Sequence, residues 1–426
     1  MNKNTKIPLI LPAEPFRPDA PRISEMSNGV KLYAFPRGDQ DIVKIDVVFE
    51  AGTVHQPISL VSLLTGTLLK EGSRSYNSGH IAYQLDFHGA FLEFTNGFHY
   101  STLSLYALNK HLPKLLPLLA SIIHEPLFPE KEFEVILDNR KQEFLVNLQK
   151  VKLLAAKDFS RRLWGVNHPY AQQAAEEDFD KVNTGHLQRF YNAHYSANKC
   201  TLFVSGRVDE KVINIIDKYL CVGWNGSTPE NGTLSFTAEP ENPGIYYVPK
   251  EGVQSAVKAG RHVMDKGDEA FPAFQLLCGV LGGYFGSRLM RNIREDKGYT
   301  YGIGSYVVNQ PLGSYLAVST ETANEYRDAV IGEIKHEMVR LQREAVPEAE
   351  LQMVKNYLSG EMMRSFDGPF AITDVYRSLW ENGLNFDFIE RYLEVMDATT
   401  SETLQALSEK WLNPDDLIIS VAGNEK

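Results

Sequence analysis

Apolar and polar positions along the chain follow two rhythms. The stretch SLVSLLTGTLLKEGS, Ser59 to Ser73, places Leu60, Val61, Leu63, Leu64, Leu68 and Leu69 at roughly helical spacing, and Gly72 follows as a stop, which predicts a helix. Longer helical patterns fill Pro129 to Ala156 and Glu325 to Arg343. VKLYAFPRG, DIVKIDVVFEAG and the alternation from Tyr100 to Leu108 read instead as strands. Paired strands followed by helices predict an α+β fold, with helices packed on one face of a mainly antiparallel sheet.

The pattern occurs twice. HLQRFYNAHYSANKCTLFVSG and TLQALSEKWLNPDDLIISVAG share a register, with Leu187, Gln188, Val204 and Gly206 recurring as Leu404, Gln405, Val421 and Gly423 at a constant offset. Each reads as a helix, a polar turn and a short apolar strand closed by glycine. A weaker echo joins Leu63-Leu64-Thr65-Gly66 to Leu276-Leu277-Cys278-Gly279, and Gly72-Ser73-Arg74 to Gly286-Ser287-Arg288. Two homologous half-domains follow from this duplication. We divide the chain into an N-terminal arm (1–24), a first half-domain (25–222), a Gly/Pro/Asn/Ser/Thr-rich linker (223–244) and a second half-domain (245–426).

Composition narrows the choice of function. A chain of 426 residues with 43% hydrophobic and 23% charged residues can bury two ordinary cores. A net charge of -11 with no basic block argues against nucleic acid as the partner. Cys200, Cys221 and Cys278 stand apart with no CxxC pair, so neither a disulfide framework nor a thiolate metal knot is expected. The N-terminal apolar stretch is short and broken by Pro8 and Pro12, and no run approaches the roughly 18 apolar residues of a membrane span. The expectation is a cytoplasmic protein. On that reading the sequons at Asn225 and Asn231 carry no glycan.

The densest motif is LGGYFGSRLMRNIREDKGYTYGIGSY, Leu281 to Tyr306. A glycine-rich turn leads to a helix from about Ser287 to Lys297, Gly298 ends it, and an alternating strand follows. Gly279, Gly282, Gly283 and Gly286 lack a following Gly-Lys-Ser/Thr, so they read as turn and close-packing glycines, not a phosphate loop. The first half adds NHPYAQQA, Asn167 to Ala174.

Together these segments resemble the pitrilysin/insulinase family of zinc peptidases, which includes the mitochondrial processing peptidases and carries the inverted zinc motif H-x-x-E-H. The resemblance runs from about residue 25 to the C-terminus. It implies two half-domains enclosing a cavity. In active members H-x-x-E-H lies on a helix that shortly reaches Gly-Thr or Gly-Ser. Aligned on Gly72-Ser73, its five positions fall on Leu63, Leu64, Thr65, Gly66 and Thr67. Residues i and i+4 of a helix face one way, so two imidazoles there grip one zinc ion while the glutamate takes a proton from bound water. Leu63, Gly66 and Thr67 supply no imidazole and no carboxylate.

The family's third ligand is a glutamate on a later helix, near Glu143. Alone it cannot hold zinc, and it reads as a solvated helix charge. His336 opens HEMVR, where Arg340 stands in place of the second histidine of H-E-x-x-H. His80, His88, His168 and His194 read as packed or surface histidines.

The resemblance also implies that an arginine and a tyrosine of the second half reach towards substrate; the matching positions are Arg294 and Tyr301, with Arg291 and Tyr299 as neighbours. The plainer reading makes Arg294 a solvated helix charge and Tyr301 a buried aromatic at a strand start. Two functions compete. One is a zinc-less, non-catalytic subunit of a two-chain metallopeptidase, paired as a heterodimer with an H-x-x-E-H-bearing chain of similar size that holds the zinc, while this chain holds no cofactor. The other is a peptide-binding or structural scaffold of the same superfamily without proteolysis. A zinc peptidase in its own right would need a metal site that the sequence does not offer.

Overall fold

The computed structural model describes residues 17–226 and 236–424. Asn231, most of the N-terminal arm and part of the linker lie outside the described residues. The first half runs β1 (Arg22–Glu25), β2 (Lys31–Pro36), β3 (Ile42–Phe49), α1 (Val61–Leu68), α2 (Ser78–Phe87), β4 (Phe91–Asn96), β5 (Ser101–Leu108), α3 (Leu112–His124), α4 (Glu130–Asn147), α5 (Val151–Trp164), α6 (Thr184–His194), β6 (Cys200–Gly206) and α7 (Glu210–Ile216). The second runs β7 (Gly244–Pro249), β8 (Gln254–Val263), α8 (Phe271–Cys278), β9 (Thr300–Gln310), β10 (Gly313–Ala323), α9 (Arg327–Arg343), α10 (Glu348–Arg364), α11 (Ala371–Trp380), α12 (Asp387–Ala398), α13 (Ser401–Trp411) and β11 (Ile418–Gly423).

The two sheets share one topology. Their strand orders are β1-β2-β6-β3-β5-β4 and β7-β11-β8-β10-β9. Apart from β1, each strand of the first sheet has a counterpart in the second. The β2–β6 and β7–β11 pairs are parallel, and the neighbouring β3–β6 and β8–β11 pairs are antiparallel. Val204 and Val421, which share a register in the sequence, occupy matching strands at matching places.

Alternation along the strands divides each sheet between two environments. Val43, Ile45, Val47 and Phe49 of β3 face a core shared with Leu64 and Leu68 of α1, Leu115 of α3 and Leu187 of α6. Each half's own helices thus cover one face of its sheet. The opposite face is covered by a helix of the other half. From the second half, Tyr376 of α11 packs on Tyr33, Phe35 and Phe203 of the first sheet. From the first half, α5 lies across β8 and β11, with Phe159 buried near Ile418 and Ala155 near Ala256 and Ala422. Gly260 of β8 makes room for this crossing, because a Cβ there would lie 2.8 Å from Phe159 Cζ and 2.1 Å from the Leu316 carbonyl oxygen.

This exchange corrects one expectation. The helical pattern from Pro129 to Ala156 is two helices, with the break at residues 148–150. No glycine or proline marks it. Lys150 Nζ donates to Asn147 Oδ1 at 2.9 Å, and the Lys150 carbonyl accepts from Leu153 N at 3.0 Å to begin α5. The chain turns there because α4 contacts α1 of its own half while α5 belongs on the other sheet. A one-residue reading of periodicity contains no information about that destination.

Candidate functional site

The positions that the resemblance sets against H-x-x-E-H lie on α1, a closely packed helix. Val61, Leu64 and Leu68 are fully buried. Ser62 Oγ lies 2.7 Å from the Ala51 carbonyl oxygen and 2.8 Å from Asn96 Oδ1, and its single proton, donated to either, ties the helix to the sheet beneath. The side chains that would perform chemistry are engaged otherwise. Thr65 Oγ1 donates to the Val61 carbonyl at 2.7 Å and Thr67 Oγ1 to the Leu63 carbonyl at 2.8 Å, so both hydroxyls turn back onto their own helix.

Gly66, which the resemblance sets against the motif's glutamate, is covered by Phe94 of β4. A Cβ built on Gly66 would lie 1.9 Å from Phe94 Cζ, far inside contact distance. The aromatic ring occupies the space a carboxylate needs. Glu143 of α4 is exposed and pairs with Arg140 at 2.8 Å, in keeping with a solvated helix charge. The residues present therefore do not fit zinc. Among the described residues no group of three or more His, Cys, Asp or Glu side chains is arranged to hold a metal ion.

The remaining histidines are placed as ordinary ones. His336 and His80 are exposed and His168 is buried. Just before α1, the rings of His55 and His194 lie 5.0 Å apart. Burial, reinforced by His194, His99 and Lys199, lowers the pKa of His55 from 6.5 to about 4, so its imidazole is neutral at neutral pH. The three cysteines are free and buried. Burial, with Asp217 nearby, pushes the Cys221 thiol up to about 12.

The second half holds the arginine and tyrosine in unusual backbone. The helix expected from about Ser287 to Lys297 is wider than an α-helix: residues Met290–Asp296 form a π-helical turn. Such turns concentrate at functional sites. Gly298, at φ +67°, ends it as expected, and Tyr299 N donates back to the Ile293 carbonyl at 3.0 Å. Arg294 sits in this turn with its guanidinium 4.5 Å from the ring centre of Phe285, and makes no ion pair among the described residues. The preceding glycines pack closely, since a Cβ on Gly282 would lie 2.7 Å from Ser305 N.

Tyr301 lies at a β-bulge. Thr300 pairs with Thr322 and Ile303 with Thr320, so Tyr301 and Gly302 together oppose the single residue Glu321. Hydroxyls stitch the irregularity: Thr300 Oγ1 donates to the Glu321 carbonyl at 2.7 Å and Thr320 Oγ1 to the Gly302 carbonyl at 2.8 Å. Bulges of this kind re-aim a side chain. Tyr301 is 95% exposed, which overturns the reading of it as a buried aromatic. It borders a shelf on β9 and β10 with Lys152, Tyr306, Ser319 and Glu321, of which Lys152 comes from α5 of the first half. Tyr299 stacks on Tyr326 at 4.7 Å, and Arg291 lines a separate charged cavity with Arg288 and Glu333.

The α1 positions are thus packed among first-half elements, and the Arg294–Tyr301 segment among second-half ones. Sequence reasoning put the first on a helix and ended the second's helical turn at Gly298. It missed Phe94, Lys152 and the bulge, each of which depends on what lies across the sheet.

Comparison with known proteins agrees with this geometry. Residues 181–358 match the family model described as "Peptidase M16 inactive domain". The uncharacterized zinc protease YmxG of Bacillus subtilis is 24% identical over 417 residues, covering 93% of this chain and 97% of that protein. The probable inactive metalloprotease YmfF of the same organism is 23% identical over 254 residues, 57% of each chain. A crystal structure of a peptidase M16 inactive domain from Pseudomonas fluorescens superposes with a TM-score of 0.85 at 22% identity, covering 95% of this chain and 98% of that one. A protease from Helicobacter pylori gives 0.86 at 16% identity, over 96% and 100%. No H-x-x-E-H occurs in the sequence, and the chain is a homologue of the M16 metallopeptidases of the kind that lacks it.

Proposed function

We propose that this protein is the zinc-less subunit of a two-chain peptidase. A separate chain bearing H-x-x-E-H holds the zinc and its hydrolytic water, and this chain presents Arg294 and Tyr301 to the peptide. The observation that carries the reading is the exposure of Tyr301: a tyrosine 95% open to solvent contributes nothing to a core, yet a bulge fixes its backbone. A phenol and a guanidinium both donate hydrogen bonds to an oxygen that gains charge as water attacks. Losing one such donor costs roughly 3 kcal/mol of transition-state stabilisation. Strand β9 is the edge of its sheet, where an extended peptide can add main-chain hydrogen bonds.

The test uses the chain mixed with its H-x-x-E-H companion. Tyr301→Phe and Arg294→Ala should each lower kcat/KM for peptide cleavage by about 100-fold, with the complex still formed by size-exclusion chromatography. A parent mixture that cleaves no peptide, or variants as active as the parent, would leave the scaffold reading in its place.

A further inference from the structure

In the register that β6 and β11 share, Lys258 of β8, opposite Ser420 of β11, takes the place that Asp46 of β3 holds opposite Phe203 of β6. Their surroundings differ in one respect. Asp46 is met by two opposite charges, Lys44 at 3.2 Å and Arg377 of the crossing helix α11 at 3.5 Å. On the crossing helix α5, Asp158 is committed elsewhere: its Oδ2 accepts from Arg162 Nε at 2.7 Å and from Ser420 Oγ at 2.9 Å. Lys258 is left without an anionic partner among the described residues, its ammonium 5.2 Å from the ring centre of Phe159 and 5.9 Å from that of Tyr315.

Lys258 does not stand on open surface. It lines a cavity of about 490 Å³ beside α5, walled by Phe98, Phe144, Leu153, Leu154 and Tyr315. That volume falls within the range of small-molecule sites, which combine apolar walls with a few placed polar groups. A second cation, Lys157, lines the same cavity, and its only protein acceptor among the described residues is the Ala174 carbonyl at 3.2 Å. Two ammonium groups without carboxylates, in an apolar cavity, leave a charge that the protein itself does not neutralise.

We propose that this cavity binds an apolar carboxylate, with the carboxylate between Lys258 and Lys157 and the apolar body against Phe144, Leu153, Leu154 and Tyr315. The ligand supplies from outside the opposite charge that Lys44 and Arg377 bring to Asp46 within the first half. Burial, with Lys152 nearby, lowers the pKa of Lys258, as expected for an ammonium lacking its counter-ion. Two sources share this chemistry: a free fatty acid and a peptide chain end with an apolar last side chain.

Calorimetric titration of the full chain with decanoate and with acetyl-Ala-Ala-Phe, each beside its primary amide, separates them. One carboxylate should saturate a single site and its amide should bind at least about tenfold more weakly. Lys258→Met should weaken that carboxylate by about tenfold or more and Lys258→Arg should retain most of its affinity. Saturation by decanoate alone assigns a fatty acid, and by the peptide alone a chain end. If neither carboxylate binds, or if acid and amide bind the unaltered chain equally, the proposal is wrong. Equal binding to the folded Lys258→Met chain would overturn it too. Because the chain is tested alone, the outcome is separate from that of the two-chain cleavage assay.

Discussion

At position 66 the absence of a side chain and the closeness of a neighbouring ring are one feature in space. Glycine leaves a gap above α1, and Phe94 fills it so closely that a Cβ would lie 1.9 Å from its ring. Gly66→Glu, which writes in the glutamate of the H-x-x-E-H pattern, therefore overpacks a buried site and strands a carboxyl group. Together these should cost about 3 kcal/mol, read as a lower urea midpoint at unchanged slope. Adding Phe94→Ala should recover part of the loss, with a coupling of about 1 kcal/mol or more. Strictly additive costs would show that Phe94 is not the obstacle. The absence of imidazoles at 63 and 67 was legible in the sequence, because a lone pair is a property of one side chain. The obstruction was not, because Phe94 is distant in sequence and gives no local sign of its position.

Among the elements, the short turn before α1 carries a pH dependence. His55 titrates near 6.5 when unfolded and at about 4 when folded, so between those values the unfolded chain binds the extra proton. Stability should be unaffected above the upper value and decline as pH falls through the window. After allowance for partial exposure the loss is about 2 kcal/mol. His55→Gln should flatten the stability profile between those pH values. An unchanged profile in the variant would place the acid sensitivity elsewhere. The π-helical turn and the bulge around Arg294 and Tyr301 illustrate the limit of periodicity. LMRNIREDKG reads as an ordinary helix closed by glycine, and the end at Gly298 was correctly legible. The extra residue in β9 depends on contacts with Thr320 and Glu321 across the sheet.

The whole molecule is held together by reciprocal crossing of helices. Phe159 leaves the first half to pack on the second sheet, and Tyr376 makes the return journey. At the α11 crossing the charges are also shared: Asp46, fully buried, meets Lys44 at 3.2 Å and Arg377 at 3.5 Å. Burial opposes the charge on Lys44, but Asp46 and Asp374 outweigh it and raise its pKa. Two half-domains joined only by a linker would melt separately, whereas an interlocked pair should unfold in one calorimetric transition. Phe159→Ala, which empties a site under α5, should cost about 3–5 kcal/mol and move that single transition as a whole. Two resolved transitions, only one of them shifted by the substitution, would show the crossing to be energetically minor.

Local chemistry alone determined several features of this protein. The rhythm of apolar positions fixed most strands and helices, the repeated register announced a duplicated α+β fold, and Leu63, Gly66 and Thr67 declared that no zinc ligand stands there. Only the tertiary structure decided which half covers which sheet, that Phe94 closes over Gly66, that Tyr301 is exposed, and that Lys258 has no carboxylate partner among the described residues. The first group depends on side chains and their near neighbours. The second depends on contacts between residues far apart along the chain, whose partners are set by the packing of the folded whole.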